Sequence, residues 1–197
     1  MSPLNEDRLG QIRDQRKEQI MQAGLGVFAR RGILGTKMSM IAAAAGVSHG
    51  LLYHYFKSKD ELFTSLIEEA VVAADESVRQ LYDLPGSPAG KLRLLTEQIL
   101  QEDGAEYFML IHQARTSDGV PAEAKELIAQ YSMARFIDVM LPLFQEGQRL
   151  GEIVPEPAEE LIASYFSVLS GLMVLHTRDS EYRIPDTALL LRMFLLP

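Results

Sequence analysis

The sequence predicts an all-α protein of about nine helices, with three small ones first. Three observations carry that expectation. Apolar residues recur three and four apart in nearly every segment, the period of one helix face. No stretch of useful length alternates apolar and polar residues as a half-buried strand would. Caps and breakers punctuate the segments, as in Ser58-Lys59-Asp60-Glu61 and Leu84-Pro85-Gly86-Ser87-Pro88. There is no internal repeat and no low-complexity tract.

Residues 1–11 are expected to fray. A helix follows from Arg13 to Arg31, with Ile20, Ala23, Gly24, Val27 and Phe28 on one apolar face and Gly32 as its stop. Thr36 is placed to cap a short second helix carrying Met40, Ile41, Ala44 and Ala45. Gly46-Val47 makes a tight turn, where glycine takes a positive φ without a Cβ clash, and Ser48 caps a third helix. The capping box at Ser58 opens a helix that buries Leu62, Phe63, Leu66, Ile67, Ala70 and Val71 and reaches Tyr82. A helix over 89–102 has Leu92, Leu95, Ile99 and Leu100 inside; Asp103-Gly104 stops it, and another runs over 106–116. After Asp118-Gly119, one long helix is expected from Pro121 to Leu150, kinked or broken at Pro142. Helices over 157–176 and 186–196 close the chain. The division expected is a small domain over 1–57 and a larger helical one over 58–197.

The 197 residues are 47% hydrophobic, enough for a sizeable core. The absence of cysteine excludes disulfides, thiolate zinc sites and cysteine nucleophiles, and fits a reducing cytoplasm. No apolar run is read as approaching the roughly 20 residues that cross a bilayer, and the polar N-terminus lacks a signal peptide's apolar centre. The expectation is therefore a cytoplasmic protein with no membrane partner.

The net charge of −8 would argue against nucleic acid if it were uniform. It is not. Residues 1–60 hold nine Lys/Arg against five Asp/Glu, and residues 61–197 hold ten against 22. The positive end coincides with a helix, a tight glycine turn and a second helix over 36–56, the pattern of a helix-turn-helix that enters a DNA major groove.

Thr36, Ile41-Ala42, Ala45-Gly46-Val47-Ser48, Gly50, Leu52-Tyr53, Tyr55-Phe56, Lys59 and Leu62 together resemble the DNA-binding domain of TetR-family transcriptional regulators. The resemblance covers roughly residues 13 to 66. It implies an all-α homodimer that binds a palindromic operator in double-stranded DNA through a helix-turn-helix at each N-terminus. It also implies a small-molecule effector pocket in each C-terminal domain. One departure is Met38-Ser39-Met40, where relatives often carry polar or charged residues; at least one methionine is expected to pack inward.

Within the motif, Val47, Leu52 and Phe56 are expected to face the core. His49, Gly50 and Leu51 lie nearest the bases: His49 at the helix start, Gly50 allowing close approach, Leu51 able to touch a thymine methyl. Ser48, Tyr53, His54 and Tyr55 complete the DNA face, the last three on phosphates by resemblance. Thr36 and Lys37 present a hydroxyl, an amide and an ammonium at a helix start, which suits a phosphate. Lys59 sits in the first turn of its helix, unfavourable with the dipole by some tenths of a kcal/mol, which points to a phosphate role. Arg13, Arg16 and Lys17 are weaker candidates.

The effector site is expected among Tyr107, Phe108, His112, Arg115, Tyr131, Arg135, Phe136, Met140, Phe166 and Met173, aromatic and methionine groups with a few polar ones. Arg115 or Arg135 would pair an anionic head group if buried. No cofactor and no metal site is expected. The apolar helices over 157–176 and 186–196 suit a two-subunit interface. An enzyme would need a nucleophile elbow, a phosphate-cradling glycine loop or a metal motif, and none is found. A carrier of hydrophobic ligands is the remaining class, which would lack salt-dependent DNA affinity.

Overall fold

The computed structural model describes residues 3–100, 102–178 and 181–196, and among them it has ten helices. The first is α1, Pro3–Gly35, which starts well before Arg13 rather than fraying. Its regular path ends at Gly32, whose φ of 68° and ψ of 168° break the helix where the sequence places the stop. Then come α2, Met38–Ala44, and α3, His49–Tyr55. The turn between them passes through Gly46 at φ 63°, and Gln19 Nε2 donates to the Ala45 carbonyl at 2.7 Å, tying α1 to that turn.

Ser48 Oγ accepts from the Leu51 amide, and Ser58 Oγ accepts from the Glu61 amide, so both predicted serine caps form. Glu61 reaches back to the Lys57 amide at 2.7 Å, one residue before the cap. Thr36 is different. The N-cap of α2 is Lys37, with no side-chain cap bond, while the buried Thr36 hydroxyl donates to the Gly32 carbonyl and secures the end of α1.

The long helix α4, Lys59–Gln80, runs from the first three helices into the rest of the molecule. Its apolar face buries every residue the periodicity selects, from Leu62 to Val71. Phe63 meets Phe28 of α1 edge-on, with ring centroids 5.1 Å apart. Around this pair lies one core cluster, with Ile20, Ile41, Leu52, Phe56 and Leu66, and it extends to Leu110, Ala114 and Ile128 further along the chain. Met38 is buried in it and Met40 packs partly against it, which accounts for apolar residues at those positions of α2.

α5 spans Pro88–Ile99 and α6 spans Glu102–Thr116. The break between them precedes Asp103-Gly104 instead of following from it, and Gly104 lies inside α6. A Cβ there would stand 2.3 Å from the Ile99 carbonyl oxygen, a backbone atom. Gly104→Ala is expected to lower the unfolding free energy by about 1–3 kcal/mol in a urea melt, because the end of α5 must shift to admit one methyl.

α7 is Ala122–Gln130 and α8 is Met133–Arg149. The expected break at Pro142 is thus absent: Pro142 sits within α8 on its exposed side, and the chain breaks at Tyr131–Ser132 instead. Ser132 caps α8 by accepting from the Arg135 amide, and α7 packs on α4 and α6 while α8 packs on α9. Both helices also touch α4, but α7 adds α6 while α8 adds α5 and α9, and the interruption falls where those additional partners change.

α9 is Ala158–Arg178, and its 158–177 stretch is long and apolar enough by length and composition to cross a bilayer, contrary to the expectation from sequence. In the fold it packs against α6 and α8. Its buried side holds Ile162, Tyr165, Phe166 and Leu169 in a second core, with Val78, Leu92, Leu95, Met140 and Phe144. Tyr165 shares a 2.9 Å hydrogen bond with Thr96, whose hydroxyl donates to Leu92, and burial pushes the phenol pKa up so that it stays neutral. The last helix, α10, is only Thr187–Leu191. The chain then turns, and Leu195 forms an isolated antiparallel bridge with Ile153, with amide bonds from Val154 to Phe194 and from Leu196 to Glu152.

Candidate DNA interface and ligand cavity

α3 is seven residues long and is held by Leu52, fully buried, and Phe56, 2% exposed at its C-terminal boundary. Those two anchors turn His49, Gly50, Leu51, Tyr53 and His54 outward, all exposed. Nothing lies within 4 Å of a Cβ built at Gly50, so the helix face around it is open. The His49 and Tyr53 rings pack edge-on at 4.8 Å, one turn apart, and stiffen that face. Tyr55 is half-buried against the core and meets His54 edge-on at 5.5 Å. Lys37 is exposed, and Ser48 is exposed with its hydroxyl engaged as a cap. Lys17 lies over the Phe56 ring at 5.9 Å.

Two of the sequence candidates are used internally. Thr36 is 2% exposed, and its hydroxyl is bonded to Gly32, so the side chain is not offered to a phosphate. Lys59 Nζ donates to the carbonyls of Ile33 at 2.7 Å and Thr36 at 3.3 Å. Its charge meets carbonyls at and just beyond the C-terminal end of α1, a favourable partner for a cation. The oddity of a cation in the first turn of α4 is explained by this corner, where α1, α2 and α4 meet. Lys59→Met is expected to cost about 1–3 kcal/mol of stability in chemical denaturation, because buried carbonyl bonds to a charged donor are lost.

The second site is a cavity of about 390 Å³ between α4, α5, α6, α8 and α9, within the roughly 300–1,000 Å³ usual for small-molecule sites. Seven of the ten residues expected to line it do so: Tyr107, Phe108, His112, Arg115, Tyr131, Phe136 and Phe166. The other three do not. Met140 and Met173 are fully buried side chains in the packing around it. Arg135 turns to Asp75 instead, with Nε and Nη2 each 3.0 Å from Oδ1, and its guanidinium lies 5.2 Å from the Tyr131 ring. Burial alone would raise the Asp75 carboxyl, but the hydrogen bonds and charges of Arg79 and Arg135 outweigh it and hold its pKa below the usual value.

The sequence reading missed the opposite wall. Ala70, Ala73, Ala74, Ser77 and Val78 of α4 line the cavity, with Gln98, Ile99 and Met133. Small residues of α4 face bulky residues of α6 and leave the room that the aromatic neighbours enclose, a signal that exists only once the two helices are known to face each other. Tyr107 donates to Glu69 Oε1 at 2.7 Å; burial first, then that neighbouring carboxylate, pushes its pKa well up, so it remains a phenol. Arg115 Nη2 donates to the Tyr131 carbonyl at 3.1 Å; the residue is exposed rather than buried, and partial desolvation lowers its pKa.

α6 joins the two sites. One side carries Tyr107, Phe108, Ile111, His112 and Arg115 into the cavity. From the same helix Gln113 Nε2 donates to the Ala29 carbonyl at 2.9 Å, and Glu106 pairs with Arg30 at 3.4 Å, both on α1.

Known proteins agree with this arrangement. A family model described as bacterial regulatory proteins, tetR family, matches residues 20–66. The HTH-type transcriptional repressor KstR2 of Mycolicibacterium smegmatis is 32% identical over 151 residues, 75% of this chain and 72% of that protein. The HTH-type transcriptional repressor NicS of Pseudomonas putida is 24% identical over 140 residues, covering 70% of this chain and 66% of that one. Among solved structures, the MbdR regulator from Azoarcus sp. CIB superposes with a TM-score of 0.73 at 22% identity, over 89% of this chain and 94% of that one. A regulator from Saccharomonospora viridis, solved in complex with choline, has a TM-score of 0.68 at 17% identity, over 93% and 100% of the two chains. An all-α fold, an outward helix after a glycine turn and similarity that extends through most of a curated repressor converge on one conclusion: the chain belongs to the TetR family of DNA-binding transcriptional regulators.

Proposed function

We propose that the protein is a homodimeric repressor which a small, largely apolar ligand releases from a palindromic operator. The observation that carries the reading is the double role of α6, which walls the cavity on one side and bonds α1 through Gln113 and Glu106 on another. α4 does the same, with Lys59 at the corner of the DNA-binding helices and Ala70 to Val78 at the cavity. A ligand that favours a different α4–α6 spacing would re-aim α3, a coupling typically worth about 1–3 kcal/mol.

In this reading His49, Gly50 and Leu51 face the bases, and Lys37, Ser48, Tyr53, His54 and Tyr55 hold the backbone. The division near residue 57 separates the DNA reader from the effector and dimer region. Two copies meet through α9 and the C-terminal segment. Supporting this are the exposed Ser164, Ser167, Gly171 and Leu175 on one side of α9, and the exposed Leu189, Met193 and Leu196. The protein acts in the cytoplasm, without cofactor, metal or turnover.

Footprinting across the promoters of its own and adjacent genes is the test. A protected palindrome with half-sites about one helical turn apart and a steep salt dependence supports the reading. Absence of any protected palindrome, or a monomer by sedimentation, sinks it.

A further inference from the structure

Resting on that reading of the cavity, we propose that its ligand is an amphipathic anion, a carboxylate or like group on an apolar body, with its charge held at Arg115. Four observations meet there. The walls are aromatic and aliphatic, from Val71 and Leu95 to Phe136 and Phe166, and demand an apolar body. Among the described residues, no Asp or Glu lines the cavity. Arg115 is a cavity residue whose hydrogen-bond partner is a neutral carbonyl, that of Tyr131, and it is in none of the ion pairs among the described residues. His112, one turn earlier on α6, lines the same cavity and offers an N–H in either neutral tautomer.

The unpaired state of Arg115 is informative because of where it occurs. Residues 61–197 hold 22 acidic side chains against ten Lys/Arg, so carboxylates are plentiful. Arg135, the other arginine candidate, has taken one of them, Asp75. Arg115 has not: it is an exposed residue at the edge of the cavity, its guanidinium only partly desolvated, and it is in none of the ion pairs among the described residues. A guanidinium has five N–H donors in a planar fork that matches a carboxylate. An incoming anion would gain the donors that the single bond to the Tyr131 carbonyl leaves open. A ligand cation would meet Arg115 with no acidic wall to compensate.

Three probes with one alkyl chain separate the classes: decanoate, decanol and decyltrimethylammonium, titrated calorimetrically into the full-length protein. Decanoate is expected to bind at least about tenfold more tightly than decanol, the usual scale of a charge-assisted hydrogen bond. Arg115→Met should abolish that preference while leaving decanol affinity unchanged, which also reports that the cavity is intact. Arg115→Lys should restore part of it. Equal binding of decanoate and decanol, tightest binding of the ammonium, or an Arg115→Met variant that keeps the preference would each overturn the anion assignment and leave the cavity reading standing. Failure of all three probes to bind would remove the apolar effector site itself, and this proposal with it.

Discussion

Phe63→Ala is expected to lower the unfolding free energy by about 3–5 kcal/mol, a large fraction of the total stability of a folded domain. Phe63 is fully buried and lies edge-on to Phe28 at 5.1 Å. Its ring is where α4 grips α1, so truncation removes transfer free energy, an aromatic pair and the packing around a cavity at once. Leu62 and Leu66, on the same side of α4, each stand near the Cβ position of Gly24 on α1, which makes collapse of the site difficult. Chemical denaturation of purified protein gives the number directly. A loss below about 1.5 kcal/mol would mean that α1 and α4 can re-pack, and the joint would then be softer than the structure implies.

Replacing His49 and Tyr53 together by alanine should weaken operator binding by about 2–5 kcal/mol, while affinity for unrelated DNA falls much less. The two rings share one exposed face of α3 and pack on each other, so single replacements will not sum to the double. Neither is in the buried core, and the thermal midpoint should barely move. The comparison that matters is specific against non-specific affinity at one salt concentration. Equal losses on both DNAs would demote His49 from base reader to backbone contact, the role already given to Tyr53.

Much of the DNA-binding half was legible because its signals are local. Ser48 and Ser58 bond amides three residues ahead, Gly46 sits in the turn at φ 63°, and Leu52 and Phe56 recur at helical spacing. The six apolar residues expected on the α4 face from Leu62 to Val71 are all buried, since a 3.6-residue period needs only one buried side to appear; Thr64, also buried, escapes an apolar pattern. Seven of the cavity residues were also named correctly, all bulky or polar groups on amphipathic helices. The small residues of α4 opposite them were missed, because an alanine marks a cavity only once its neighbour across the space is known.

What went astray was long-range. Lys59 looked like a phosphate ligand because its own helix disfavours it; its partners, Ile33 and Thr36, are 26 and 23 residues away. Arg135 looked like a head-group ligand, but the carboxylate that claims it lies 60 residues earlier. Pro142 suggests a kink or a break because a proline lacks a donor; it does not break the helix, since its exposed position lets α8 continue, and the interruption falls at Tyr131–Ser132, between α7 on α4 and α6 and α8 on α4, α5 and α9. The apolar C-terminal run suggests helix to 196, but after Leu191 the amides of 192–195 turn back on 189–191, and the Phe194 carbonyl and Leu196 amide pair with Val154 and Glu152.

The helical class, the DNA-reading turn and the charge split therefore follow from residues within a turn or two of each other, where spacing and capping chemistry act. Which cations remain unpaired, where long helices divide and which bulky groups border empty space depend on contacts between segments far apart in the chain. Arg115 is the clearest case: as a residue type it equals Arg135, and only the position of Asp75 distinguishes a structural ion pair from a charge left facing a cavity.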